Sequence, residues 1–148
     1  MSQPRRSILI LNGPNLNLLG ERQPEIYGSR TLADLEQALR GRAQQLGCEV
    51  EFAQSNSESD IIELIQASRG RFDAVVFNPG AFAHYSLAIA DAISAASVRV
   101  FEVHISNIHG REEFRRHSVI APVAVAVIAG AGLLGYELAL EAAMGMEA

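Results

Sequence analysis

Ser7-Ile8-Leu9-Ile10-Leu11-Asn12 is the run that decides the fold. It is apolar without alternation and stops at a Gly-Pro pair, so it reads as a short strand buried on both faces. Strands of that kind belong to parallel sheets covered by helices on either side. Outward from it, the same alternation of strand and helix repeats along the chain. Thr31 caps a helix, with Asp34 three residues on and Leu32, Leu35, Leu39 and Leu46 on one side. Gly47 ends that helix, and Cys48, Val50 and Phe52 alternate with Glu49 and Glu51 as a second strand. Ser57 opens a helix carrying Ile61, Leu64 and Ile65, and Gly70 stops it. Asp73–Phe77 is a third strand, Ser86–Ala96 an alanine-rich helix and Val98–His104 a fourth strand. After a charged helical turn near Glu112–Arg116, Val123–Ile128 is a fifth strand and Gly132–Met144 a last helix.

This order predicts one α/β domain over residues 1–148, with a three-layer, flavodoxin-like architecture. Five parallel strands in such an architecture suggest the flavodoxin-like order 2-1-3-4-5. Ligands in such sheets bind beyond the carboxyl ends of the strands, where the order reverses. The loops after strands 1, 3 and 4 are therefore the place to look for chemistry. Residues 1–6 read as a frayed tail, and the apolar run behind them is too short for a secretory signal. No apolar run approaches the ~18 residues of a membrane span. A net charge of −5 argues against general nucleic-acid binding, which shows a basic footprint. The single cysteine, Cys48, forbids an internal disulfide and fits a reducing, cytoplasmic setting. It reads as a small apolar strand residue.

The three loops hold most of the unusual polar residues. Residues 13–30 form a long loop with fixed-geometry residues and apolar anchors, which reads as an active-site lid. Tyr27 lies at its end, five residues after Arg22. It reads either as a tyrosine packing by its ring or as a base whose phenolate a guanidinium favours. Glu102 and His104 share one strand face, either as a buried polar pair or as a carboxylate orienting a general acid. His84 reads as a substrate hydrogen-bonding group or a residue at a helix start. Arg111 and Arg115, four apart, read as a solvated patch or a clamp for a carboxylate. Gly130-Ala131-Gly132-Leu133-Leu134-Gly135 has the dinucleotide-binding spacing but follows the last strand instead of the first. It reads as packing glycines. No His pair has the spacing of a metal site.

Several blocks together resemble the type II 3-dehydroquinate dehydratase family. They are Leu11-Asn12-Gly13-Pro14-Asn15-Leu16-Asn17-Leu18-Leu19-Gly20, Arg22-x-Pro24-Glu25-x-Tyr27-Gly28, Gln54-Ser55-Asn56, Asn78-Pro79-Gly80-Ala81-x-x-His84, and Glu102-Val103-His104-Ile105-Ser106-Asn107 leading to Arg111-Glu112-x-Phe114-Arg115. The final glycine motif, ending in Tyr136, belongs to the same pattern. The resemblance spans Ile8 to about Ala142. It implies conversion of 3-dehydroquinate to 3-dehydroshikimate and water, an anti elimination through an enolate, in the shikimate pathway to aromatic amino acids or in quinate breakdown. It implies no metal, no nucleotide and no other cofactor. The chain has no lysine, which excludes a lysine imine.

By position, the resemblance makes Tyr27 the base, Arg22 the group that keeps it ionised, and His104 the acid with Glu102 orienting it. Asn15 holds a water or the enolate oxygen. Asn78, His84, Arg115 and the backbone at Ile105 and Ser106 bind the substrate, with Arg111 in support. Asp91 matches a residue supplied to a neighbouring subunit, in a homododecamer built of trimers. Ala90 stands where members often carry Arg, which removes a possible inter-subunit ion pair, and Val119 stands where many carry Tyr. The rival expectation is a flavodoxin-like small-molecule or nucleotide-binding module without catalysis. It would place ligand on the last glycine loop and make Tyr27 and Arg22 dispensable.

Overall fold

The computed structural model describes residues 4–147. Part of the tail expected over residues 1–6 thus lies outside the described residues. Within it, Arg6 Nη1 donates to the carbonyls of Ala143 and Met144 at 3.2 and 3.1 Å.

The elements run β1 (Ser7–Asn12), α1 (Pro24–Tyr27), α2 (Leu32–Leu46), β2 (Glu49–Gln54), α3 (Glu58–Ser68), β3 (Ala74–Asn78), α4 (Leu87–Ala96), β4 (Val100–His104), β5 (Ala126–Ala129) and α5 (Leu134–Gly145). Short 3-10 turns fill the connections. The five strands form one sheet in the order β2-β1-β3-β4-β5, every pair parallel, as the strand pattern requires.

Strand alternation sends successive side chains to two cores. Ile8, Ile10, Val76, Phe101 and Val103 meet Leu35 and Leu39 of α2 and Tyr136 and Leu140 of α5. Leu9, Leu11, Val75, Phe77 and Val100 meet Ile61 and Ile65 of α3 and Ile89 and Ile93 of α4. The central strands β1, β3 and β4 are buried almost throughout, which is why they carry apolar runs. β2 lies at an edge and alternates exposed Glu49 and Glu51 with half-buried Val50 and Phe52. Cys48 is buried just before it.

The helix starts follow their caps. The Thr31 hydroxyl accepts from the Asp34 N–H, and the Asp34 carboxylate accepts from the Thr31 N–H, a complete capping box. Ser57 and Ser86 cap α3 and α4 in the same sense, by accepting from Asp60 and Ile89.

The largest departures from the sequence expectation are at β4, β5 and the first loop. β4 begins at Val100, because Ser97 takes a left-handed conformation (φ 54°) that closes α4. β5 begins at Ala126, because Pro122 sits in a 3-10 turn over Ala121–Val123 and can donate no ladder bond. The long first loop contains a 3-10 turn at Leu16–Leu18 and the helical turn α1. Leu16 and Leu19 are buried in the α2/α5 core, each contributing roughly 1.5–3 kcal/mol. The first half of the loop is therefore anchored, while most of residues 20–30 are exposed or half-buried.

Candidate active site

A cleft opens at the carboxyl ends of β1, β3 and β4, at the switch point. Three chain segments are pinned together to make it. Gly13 follows β1 and donates its N–H to Asn78 O at 2.8 Å. A Cβ at Gly13 would lie 2.5 Å from Pro79 O, so only glycine permits this approach of the two loops. From β2, Gln54 Nε2 donates to Gly13 O, and Asn56 Oδ1 accepts from the Asn15 N–H. These bonds hold Asn15 in a left-handed conformation (φ 68°) at the rim of the cleft.

The floor carries His104 and Glu102. The two side chains lie on the α3/α4 face of β4, where alternation puts them together. His104 Nε2 meets Glu102 Oε2 at 2.5 Å. The carboxylate can only accept, so Nε2 carries the proton and Nδ1 is left for the cleft. Ser118 donates to the same Glu102 oxygen at 2.8 Å, while its own Oγ accepts from the N–H groups of Ile120 and Ala121. Glu102 is fully buried and its Oε1 takes no partner among the described residues. A carboxylate so enclosed is costly unless it faces a positive charge. Its partner here is an imidazole that lines the cleft.

Asn78, also on the floor, is buried and donates to the Tyr136 hydroxyl at 2.8 Å; its Oδ1 accepts from the Gly80 N–H at 3.0 Å. His84 Nδ1 donates to His117 O at 2.8 Å, which leaves its Nε2 for the cleft.

The outer side is cationic. α1 starts on Pro24 and ends at Gly28, and it delivers Tyr27. Arg111 Nη1 donates to the Tyr27 hydroxyl at 3.2 Å and to Ser106 Oγ at 3.2 Å. The Arg22 guanidinium lies 5.3 Å from the Tyr27 ring centre, a cation–π distance. The expected Arg22–Tyr27 pairing is thus made through the ring, and Arg111 is the cation hydrogen-bonded to the oxygen. Arg115 completes the cationic side. Its Nε sits 2.7 Å from Glu112 Oε2 but out of hydrogen-bonding alignment.

The cleft therefore brings together Asn15, Arg22, Tyr27, Asn78, His84, His104, Ile105, Ser106, Arg111 and Arg115. Glu102 stands behind His104 and does not line it. Asp91 is exposed on α4 and does not line it either. Sequence reasoning missed Ser118, which carries no motif of its own, and the buried partners of Asn78. The last glycine loop is occupied by the fold: Gly130 and Gly132 donate to the carbonyls of His104 and Ile105 at 3.2 and 3.0 Å. Those amides are not free to hold a phosphate, which removes the main support of the binding-module alternative. Among the described residues, no helix is long and apolar enough to cross a membrane.

Fold and cleft define a class first: an α/β protein with titratable and cationic side chains gathered in a cleft at the switch point of a parallel sheet. The comparisons give the family. Residues 6–144 match the family model of class II dehydroquinases. A 3-dehydroquinate dehydratase of Pelotomaculum thermopropionicum is 55% identical over 136 residues, covering 92% of this chain and 94% of that one. The catabolic 3-dehydroquinase 1 of Aspergillus terreus is 51% identical over 136 residues, covering 92% and 90%. The crystal structure of the type II dehydroquinase from Propionibacterium acnes superposes with a TM-score of 0.93 at 46% identity, covering 98% of this chain and all of that one. The chain belongs to the class II dehydroquinase family.

Proposed function

We propose that this hydro-lyase eliminates water from 3-dehydroquinate, giving 3-dehydroshikimate, by an anti path through an enolate. The chemistry follows from the placement of charge. Tyr27, as phenolate, removes a proton from the carbon beside the ketone. The C–H electron pair moves into the ring carbonyl and forms the enolate. Arg22 over the ring and Arg111 at the oxygen stabilise negative charge on the phenolate. Asn15 steadies the enolate oxygen directly or through a water.

In the second step the enolate electrons return, the C–O bond breaks and His104 protonates the departing hydroxyl. Glu102 holds the imidazole and supports its positive form. Proton transfer to or from a positioned side chain contributes about 10²–10⁴-fold. Arg115 takes the substrate carboxylate, for which a guanidinium fork is suited. Asn78, His84 and the backbone at Ile105 and Ser106 take the hydroxyls.

Residues 13–30 act as the lid of a single catalytic domain, hinged between the buried anchors Leu16 and Leu19 and the capped start of α2. Asp91 reaches a neighbouring site in a homododecamer built of trimers, and the single cysteine accords with a cytoplasmic setting.

The observation that carries the proposal is one contact, Arg111 to the Tyr27 oxygen, made in the cleft that His104 lines with a carboxylate behind it. The test is the purified protein with 3-dehydroquinate, followed by the rise in ultraviolet absorbance of a conjugated enone. Turnover that needs no added metal or nucleotide supports the proposal. A folded, assembled protein that produces no enone contradicts it.

A further inference from the structure

The glycine motif that binds no nucleotide ends in Tyr136, the largest fully buried side chain of the protein. Its ring sits in the α2/α5 core, and its hydroxyl reaches the ends of two neighbouring strands. Asn12 and Asn78 stand side by side there, paired in register as the last residues of β1 and β3. The Tyr136 hydroxyl donates to Asn12 Oδ1 at 2.6 Å and accepts from Asn78 Nδ2 at 2.8 Å.

The polarity of this chain of bonds is set by the Gly80 N–H, which can only donate and so requires Oδ1 of Asn78 on its side. A phenol carries one proton, and Asn12 Oδ1 can only accept it. The phenol oxygen is then left to accept, so it takes an N–H of Asn78. On its other side Asn78 Oδ1 accepts from the Gly80 N–H at 3.0 Å. Both ends of the Asn78 amide are thereby assigned. What remains for the cleft is its second N–H and the outer lone pair of Oδ1.

We propose that Tyr136 is a positioning residue for substrate binding, which locks the Asn78 amide in one orientation through a hydrogen bond made beneath the cleft. This rests on Asn78 being a substrate-binding residue, as proposed above. Without the hydroxyl, two buried amides lie adjacent with an orphaned acceptor and an orphaned donor. Buried polar groups find partners, so Asn78, held only by the Gly80 N–H, shifts its amide toward Asn12 and its set orientation toward the cleft is weakened. Burial pushes the Tyr136 hydroxyl well above the ordinary tyrosine range, so it stays a neutral donor at neutral pH. The device is therefore independent of pH through the neutral range.

Two variants separate positioning from packing. Tyr136→Phe keeps the ring and removes the hydroxyl. Asn12→Ala keeps Tyr136 but removes its acceptor, freeing the proton to turn toward Asn78, and it serves if Tyr136→Phe does not fold. Each is measured for kcat and KM with 3-dehydroquinate, alone and combined with Asn78→Ala. The expected result is KM raised about tenfold, the loss of one good hydrogen bond, with kcat within about twofold. Combined with Asn78→Ala, neither variant raises KM further. A lowered melting temperature with KM unchanged overturns the proposal, as does a KM rise that adds to that of Asn78→Ala. If Asn78→Ala leaves KM unchanged, the substrate-binding role of Asn78 falls and the proposal falls with it. If Asn78→Ala raises KM and Tyr136→Phe and Asn12→Ala do not, the proposal fails alone.

Discussion

The floor and the outer side of the cleft are built by opposite rules. On the floor and directly beneath it, Asn12, Asn78, Glu102 and His104 are at most 5% exposed, lie in the carboxyl halves of the central strands, and are hydrogen-bonded to groups from other elements or to one another. On the outer side, Arg22, Tyr27 and Arg111 are half-buried, come from connections, and meet through a cation–π distance and one hydrogen bond. The floor is set by folding, since its buried polar groups depend on partners that only the folded elements bring to them. The outer side holds little buried surface and few bonds, the mark of a segment with low local stability. The proposed chemistry, with His104 as acid on the floor and Tyr27 as base on a proposed lid, would use this division.

The division is exposed by asking what each substitution costs in activity and in stability. Tyr27→Phe strikes the outer side. It is expected to lower kcat by about 10²–10⁴-fold while the melting temperature stays unchanged, as steady-state kinetics and calorimetry would record. Loss of the fold in Tyr27→Phe would break the comparison. Glu102→Ala strikes the floor. It removes the partner of His104 and of Ser118, and is expected to cost about 3–5 kcal/mol of stability besides most of the activity. Urea unfolding measures the first and the enone assay the second.

The smallest effect lies outside the cleft. Hydrogen bonds from the backbone and side chain of Thr31 hold the Asp34 carboxyl below its usual range. A depressed carboxyl contributes stability above its unfolded value, near 3.9, and loses it as pH falls through the lower folded value. Asp34→Asn should therefore melt slightly below the wild type at neutral pH. The gap should close on acidification, and kcat should be unchanged. A gap that persists in acid would place the effect elsewhere.

The fold was legible because β1, β3 and β4 are buried on both faces and so carry unbroken apolar runs. The place of the cleft followed from the same strands, since the order of a parallel sheet fixes where its loops converge. Glu102 and His104 could be paired from a spacing of two residues. What the sequence does not display is any pairing without a period. Arg111 meets Tyr27 across 84 residues, and Tyr136 meets Asn78 across 58. The turn that carries Tyr27 has four residues, too few to show a helical repeat. Strand β5 starts late because one proline, Pro122, cannot join a ladder, and an apolar run alone does not reveal that.

The central claim is an elimination in which base and acid work on opposite faces of the substrate. It is tested most directly with 3-dehydroquinate carrying deuterium on the carbon beside the ketone, on the face opposite the departing hydroxyl. The account predicts an unlabelled enone product, the deuterium passing to Tyr27 and then to solvent. A product that keeps the deuterium would mean a syn elimination, and would contradict the roles given to Tyr27 and His104.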